Sequence, residues 1–299
     1  MSTGTGRSST NVRTARGARR RTVMLAVAAP AASLMVLGLA AGGTTAASAS
    51  PVAHPRAASA KTATWVPTMN SQFHRINPNR WTVLNNVGHA NENSWLEAAN
   101  VTTAHGILRV QGKKQSAGGR AYTSGYLQTN GKFAVGNYFK LSVRAKVPFE
   151  QGMWAAPVWL RPTDGSGGEI DLLETYGCDK AKPRLNQTLH TDYGSAHQQS
   201  VHSTYYKTFG DATGTAWHTY TIRKVPGSIK EYVDGVKTAT WSTGTPSWFN
   251  QYYEANKSWN LRVNLQIGGG SDNQPNAKTN WAPGKTAMLI DYIKTWSRG

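Results

Sequence analysis

The stretch at residues 168–177 reads Gly-Glu-Ile-Asp-Leu-Leu-Glu-Thr-Tyr-Gly and carries three acidic residues within six positions. Its isoleucine and leucines favour an extended segment, and a glycine closes each end. Side chains of a β-strand alternate between two faces, so Glu169 and Asp171 point the same way. A β-bulge at residues 172–173 adds one residue and returns Glu174 to that face. We therefore predict three carboxyl groups in a row on one wall of a cleft.

Such a row suits the hydrolysis of glycosidic bonds, which uses one ionised and one protonated carboxyl group. In the retaining form of the reaction the two groups stand about 5–5.5 Å apart. The middle acid would raise the proton affinity of its neighbours and hydrogen-bond to one of them. An exposed strand with scattered acids, or a cation site, is the alternative interpretation of the same residues.

The rest of the chain predicts an all-β fold. It has 299 residues, of which 39% are hydrophobic, and it contains 30 Gly and 11 Trp. Short apolar runs are separated by turn residues. The clearest run, residues 138–147, alternates, with one face formed by Phe139, Leu141, Val143, Ala145 and Val147. We predict a sandwich or β-jelly-roll of two antiparallel sheets with a concave cleft.

The acidic stretch resembles the E-x-D-x-x-E signature of glycoside hydrolase family 16, in the branch that carries a bulge. Further segments resemble motifs of that family in the same order, from about residue 65 to residue 299. They are residues 122–125, 133–154, 159–162, 189–190, 217–220, 232–235, 264–269 and 290–293. One departure is the segment between Trp154 and Trp159, which is one residue longer than the common form.

This resemblance implies a β-jelly-roll and a retaining endo-glycosidase. By the same resemblance Glu169 is the nucleophile, Asp171 the assisting acid and Glu174 the general acid/base. The substrate would be a polysaccharide, with β-1,3-glucan as the leading expectation and a galactan or another wall glycan as the alternative. A transglycosylase and a non-catalytic glycan-binding module remain open on the same scaffold.

Aromatic and polar residues in the matching segments are candidates for sugar binding. Ring faces stack on the apolar face of a sugar, and polar edges bind its hydroxyl groups. The tryptophan candidates are Trp159, Trp217 and Trp154, each of which could instead pack in the core. His190 could hydrogen-bond the nucleophile or the sugar, or could be a packing histidine. Asn264 could donate to a sugar hydroxyl.

We expect that catalysis requires no cofactor. The resemblance implies a structural Ca²⁺ on the convex face, and Asp291 matches a frequent ligand there. The remaining ligands cannot be assembled from the sequence. No His or Cys spacing indicates zinc. The single cysteine, Cys178, rules out an internal disulfide, and we expect it to be a small core residue.

The N-terminal residues 1–49 have the pattern of a signal peptide. Arginines at positions 19–21 precede an apolar run over residues 23–41, and Ala-Ser-Ala at 47–49 offers a cleavage site. A membrane anchor is the competing interpretation, but the small residues at the exit favour cleavage, after which we expect no stable membrane insertion. We predict a secreted, extracellular monomer, exported by the Sec or twin-arginine route. A flexible linker at 50–62 would precede a catalytic domain at 63–299.

The chain is strongly basic, with a formal net charge of +18. Six arginines and no acidic residue lie in the predicted leader, which leaves +12 on the remainder. Such a surface favours anionic neighbours, including acidic glycans. We expect no nucleic-acid partner, because the basic residues are dispersed and form no nucleic-acid-binding motif.

Overall fold

Eighteen β-strands make up nearly half of the described chain. The computed structural model describes residues 64–298, all of which fall within the unit Ser59–Gly299. The first nine strands are β1 Trp65–Ser71, β2 Thr82–Val83, β3 Val87–Gly88, β4 Ser94–Leu96, β5 Val101–Ala104, β6 Ile107–Gln111, β7 Tyr122–Ser124, β8 Tyr126–Gln128 and β9 Phe139–Lys146. The other nine are β10 Met153–Pro162, β11 Glu169–Tyr176, β12 Arg184–His190, β13 Gln199–Tyr205, β14 His218–Val225, β15 Ser228–Val233, β16 Val236–Ser242, β17 Trp259–Ile267 and β18 Ala287–Arg298.

Helical structure is limited to short segments. One α-helix, α1, spans Phe249–Tyr253, and 3₁₀ turns occupy Ala98–Asn100, Gly177–Asp179 and Tyr206–Phe209. Among residues 64–298, no helix has the length and apolar character needed to cross a lipid bilayer. The signal peptide and linker predicted for residues 1–62 lie outside the described residues.

The strands form two large antiparallel sheets, as predicted. The eight-stranded outer sheet has the order β16-β15-β14-β9-β18-β6-β5, with β1 also paired to β18. The seven-stranded sheet, called the cleft sheet below, has the order β13-β12-β11-β10-β17-β8-β2. A small third sheet joins β3, β4 and β7, and its β4–β7 pair is parallel. This third sheet was not predicted from the sequence.

Apolar side chains of both large sheets fill one core. On β9 the alternation predicted from the sequence is confirmed, since Phe139, Leu141, Val143 and Ala145 are all fully buried. The acid-bearing strand β11 contributes Ile170, Leu172 and Leu173 to the same core cluster. The core prediction for Cys178 is wrong, because its side chain is exposed. The neighbouring Gly177 takes the buried position, against the Glu150 backbone.

The predicted bulge in β11 is present. Asp171 pairs with Thr188 of β12, but Glu174 pairs with Asn186, so three steps on β11 match two steps on β12. Both leucines between the acids are buried. The extra residue therefore keeps two consecutive apolar side chains in the core and returns Glu174 to the face of Asp171.

A second bulge lies beside the first, in β10. Ala156 pairs with Asn264 of β17, and Trp159 pairs with Arg262, which is again three steps against two. Between β10 and β11 the register stays constant on both sides of the bulges. The longer segment between the tryptophans thus supplies the residue that keeps β10 in step with β11. Pro157 lies in this bulge, where a missing N–H is tolerated.

The paired bulges predict that single deletions are harmful and that a matched double deletion is not. Deleting Leu173 or Pro157 alone should shift β10 against β11 by one residue and cost more than about 3 kcal/mol of unfolding free energy. Deleting both should restore the register and recover most of that loss. Urea unfolding of the three variants measures the coupling. Additive losses in the double variant would contradict the register argument.

Candidate active site

A concave cleft lies on the face of the cleft sheet that points away from the core. It has a volume of about 370 Å³, within the range of pockets that bind small ligands. Seven of the residues selected from the sequence line it: Glu169, Asp171, Glu174, Trp154, Trp159, His190 and Asn264. Glu174 thus points into the cleft, not into the apolar interior.

Two other candidates lie elsewhere. Trp217 is not among the cleft-lining residues, because it immediately precedes β14 of the outer sheet. The Arg144 guanidinium carbon lies 4.8 Å from the centroid of its ring. Asp291 lies on β18 of the same sheet, and its Oδ2 accepts a hydrogen bond from Arg144 Nη1 at 2.8 Å. The guanidinium thus engages the carboxylate that a calcium ion would use, and calcium binding at Asp291 stays a prediction.

Glu169 stands at the start of β11 and has two strong donors. Arg161 Nη1 of β10 donates to Oε2 at 2.9 Å, and this ion pair is largely buried. The Tyr193 hydroxyl donates to Oε1. Burial, with the nearby charges of Glu169 and Asp171, raises the pKa of Tyr193, so its hydroxyl keeps its proton. Both carboxylate oxygens are therefore oriented by groups outside β11.

Asp171, the middle acid, faces His190 of β12. His190 Nε2 lies 2.9 Å from Asp171 Oδ2, although that oxygen has no well-aligned donor among the described residues. Burial, followed by the charge of Glu169, raises the pKa of Asp171 well above its ordinary range. Burial also lowers the pKa of His190. Each shift disfavours the charged form of its own side chain, and the short contact lets Asp171 and His190 share a proton.

Glu174 has a different environment at the other end of the row. Its Oε1 accepts hydrogen bonds from Trp154 Nε1 at 3.0 Å and from the Tyr176 hydroxyl at 3.2 Å. Its Oε2 accepts one from Thr188 Oγ1 at 3.3 Å. Burial and then the charge of Asp171 raise the pKa of Glu174 to about 8, although the Trp154 hydrogen bond opposes the rise. Glu174 is therefore mainly protonated at neutral pH.

The two cleft tryptophans are fixed by close neighbours. Trp154 lies against Gly269, where a Cβ atom would stand 2.3 Å from its ring and where φ is +95°. Only glycine fits that position without displacing the donor to Glu174. Trp159 donates from Nε1 to Asn264 Oδ1 at 2.8 Å. Asn264 Nδ2 and Gln266 Oε1 are buried and have no protein partner among the described residues.

The site also meets the minimum geometry for a metal ion. Glu169, Asp171 and His190 each offer one ligand atom, and these atoms lie within 4.8 Å of one another. The Arg161 guanidinium, 2.9 Å from the Glu169 carboxylate, places a fixed positive charge beside any such ion. This charge disfavours a cation at that position.

Several cleft residues were not selected from the sequence. Arg161, Arg262 and Gln266 lie on β10 and β17, two residues from selected side chains. Strand alternation could have identified them. Tyr193 and His197 lie in the loop after β12 and stack with their ring centroids 4.8 Å apart. No local sequence pattern identifies them, because only the folding of that loop brings Tyr193 to Glu169 and His197 to His190.

The two raised pKa values predict an effect of Asp171 on Glu174. Replacing Asp171 by Asn removes a carboxyl group whose ionised form raises the pKa of Glu174, and should lower that pKa below about 8. It should remain above the ordinary value, because burial is the larger cause. Carbon-13 NMR titration of labelled glutamate carboxyl groups measures this, with the exposed Asp272→Asn as the matched control. An unchanged Glu174 titration would rule out the electrostatic coupling.

Curated relatives resemble parts of this chain. Glucan endo-1,3-beta-glucosidase A1 of Niallia circulans is 28% identical over 187 residues, which are 58% of this chain and 26% of that protein. Endo-1,3-1,4-beta-glycanase ExsH of Rhizobium meliloti is 32% identical over 180 residues, which are 60% of this chain and 34% of that protein. The matched region thus spans about a quarter to a third of the length of these two relatives.

Solved structures share the fold. The laminarinase catalytic domain from Thermotoga maritima matches with a TM-score of 0.67 and 24% identity, over 78% of this chain and 98% of that one. Endo-beta-1,3-glucanase from Pyrococcus furiosus matches with a TM-score of 0.66 and 22% identity, over 79% and 95%. The predicted jelly-roll sandwich is thereby confirmed.

The family itself follows from the sequence match. The family model described as glycosyl hydrolases family 16 matches residues 80–283, which include the three acids and all the cleft strands from β8 to β17. Because this match covers more than half of the chain, the protein belongs to glycosyl hydrolase family 16.

Proposed function

We propose that the protein is a retaining endo-β-glycosidase that cleaves a β-linked polysaccharide. The observation that carries the proposal is the contrast between two acids on one wall of the cleft. Glu169 accepts hydrogen bonds from a guanidinium and a tyrosine hydroxyl, whereas the pKa of Glu174 is raised to about 8. One group can act as a carboxylate while the other still holds a proton. This is the pair that retaining hydrolysis uses.

In the first step, Glu169 attacks the anomeric carbon while Glu174 gives its proton to the leaving glycosidic oxygen. The C–O bond to the leaving sugar breaks and a covalent glycosyl-enzyme forms. Asp171, between them, assists by keeping the proton affinity of Glu174 high. In the second step, the Glu174 carboxylate takes a proton from water, and the resulting nucleophile displaces Glu169.

For the substrate backbone we propose β-1,3-glucan. The names of the Niallia relative and of the two structural neighbours support this choice. The cleft offers suitable partners for sugar hydroxyl groups, since within residues 64–298 no group pairs with the buried donor Asn264 Nδ2 or with the buried acceptor Gln266 Oε1. Buried polar atoms of this kind gain most when a ligand pairs them.

We also propose that the chain is exported and acts outside the cell. Residues 63–299 would act as the catalytic domain of a secreted, extracellular monomer, after removal of residues 1–49. The basic leader, its apolar run and its small-residue exit support export. No cofactor enters the proposed steps.

Changing the nucleophile tests the mechanism. Glu169→Gln should lower the release of reducing ends from laminarin by at least about 1,000-fold, because no covalent intermediate can form. Its melting temperature should stay close to that of the unchanged protein. Glu97→Gln, outside the cleft, is the matched control and should keep full activity. Full activity of Glu169→Gln on laminarin would refute the assignment.

Replacing the acid/base separates the two steps. Glu174→Ala should be inactive on laminarin yet form a glycosyl-enzyme with an activated aryl glycoside, which needs little acid assistance. Added azide should then release a β-glycosyl azide, since azide requires no removal of a proton. An α-azide would show inversion.

The products of the unchanged protein separate the alternative functions. Longer chains instead of new reducing ends would indicate a transglycosylase. Binding of a glycan without any product would indicate a glycan-binding module.

The raised pKa of Glu174 predicts the alkaline limit of activity. Glu174 must be protonated to act as the acid, so kcat/KM should fall as pH rises through about 8. In Asp171→Asn, whose Glu174 pKa is expected to be lower, this limb should move to lower pH. The pH dependence of kcat/KM on laminarin measures both. A limb that stays in place would assign it to a different group.

A further inference from the structure

The cleft floor is basic on the side opposite the acid strand. Arg262 lies on β17, next to Trp159 in the register, and both residues line the cleft. Its guanidinium carbon lies 5.0 Å from the centroid of the Trp159 ring. Its Nε donates to Asn260 Oδ1 at 3.1 Å. The ring and the amide hold the guanidinium in place, so little conformational entropy remains to be lost when a ligand binds.

This guanidinium has no acidic partner. Among residues 64–298, no carboxylate oxygen lies within 4.0 Å of it. The other cleft arginine, Arg161, is paired with Glu169. The two arginines therefore differ in what they can do. Arg161 balances a catalytic carboxylate, whereas Arg262 leaves an uncompensated positive charge at the far side of the cleft.

The positive charge of Arg262 affects the pKa values of two neighbouring side chains. Burial, and then the charges of Arg262 and Arg120, lowers the pKa of His89, which also lines the cleft. Burial raises the pKa of Tyr126 to about 12, and the charge of Arg262 opposes that rise. Arg262 thus faces two neutral polar side chains. A negative group brought there would meet the Arg262 charge first, although the more distant carboxylate of Glu169 also acts on both side chains.

The position also separates this charge from the reaction. Strand β17 lies two strands from β11 in the cleft sheet. With an interstrand spacing of 4.7–4.9 Å, the two backbones are about 10 Å apart. An anion bound at Arg262 would therefore belong to a part of the glycan beyond the attacked bond, away from the Glu169 carboxylate.

We propose that Arg262, with Trp159 and His89, forms a subsite for an anionic sugar of the glycan, bearing a carboxylate or a sulfate. This inference rests on the proposed endo-glycosidase function and specifies its substrate class. A guanidinium binds either group through two parallel hydrogen bonds, which a neutral hydroxyl cannot match in strength. The net charge of +12 outside the leader adds a favourable long-range field for such a polymer.

The test compares laminarin with the same laminarin oxidised at C6, a pair that differs only in having a carboxylate in place of the C6 hydroxymethyl group. Calorimetry on the full chain carrying Glu169→Gln, which does not turn over substrate, should show the oxidised glucan bound at least about tenfold more tightly. Sulfated laminarin in a third arm distinguishes the two anions. Raising NaCl should reduce the preference, because salt screens the ion pair.

Variants assign the preference to one residue. Added to Glu169→Gln, Arg262→Gln should remove the preference, and Arg262→Lys should keep part of it. Arg223→Gln on the outer sheet is the matched control and should leave it unchanged. Equal affinity of the parent protein for both glucans, or a preference that survives Arg262→Gln, would overturn the subsite. Failure of the unchanged protein to hydrolyse any laminarin would instead count against the proposed function.

Discussion

Repulsion among three carboxyl groups on one strand is the constraint that the cleft has to satisfy. Two unit charges 4 Å apart interact by roughly 4 kcal/mol at an effective dielectric constant of 20, so three ionised acids in a row would be costly. The surroundings of the three acids reduce this repulsion in different ways. A guanidinium and a tyrosine hydroxyl bind Glu169, whereas burial and neighbouring charge raise the pKa values of Asp171 and Glu174. The division into a charged and a protonated acid thus follows from the repulsion among three closely spaced acids.

That arrangement depends on backbone geometry. The acids share a face only because β11 contains an extra residue, and β11 tolerates it because β10 contains one at the same level. Because the bulges are paired, the register shifts occur between β11 and β12 and between β10 and β17. The central pair of the cleft sheet stays in register. Trp154 and Trp159, at either end of the β10 bulge, are consequently held at fixed positions beside Glu174 and Arg262.

The electrostatic character of the cleft is divided across the sheet. The acid strand lies on one side, Arg161 neutralises its first carboxylate, and Arg262 on β17 provides a charge that has no acidic partner among residues 64–298. Buried polar atoms of Asn264 and Gln266 lie on the same strand as Arg262. A ligand that lies across the strands would therefore meet protonating, aromatic and cationic groups in turn.

Local sequence patterns were sufficient to predict the strand character of residues 168–177, the bulge that aligns the acids and the all-β sandwich. These follow from local rules, since alternation and turn residues act between close neighbours in the chain. Tertiary structure alone decided that Tyr193 reaches Glu169, that Trp217 lies on the outer sheet and that Cys178 is exposed. It also decided the pKa of Glu174, because burial depends on residues distant in sequence. Contacts such as Trp159–Asn264, 105 positions apart, arise only when the sheets have assembled, so no local pattern encodes them.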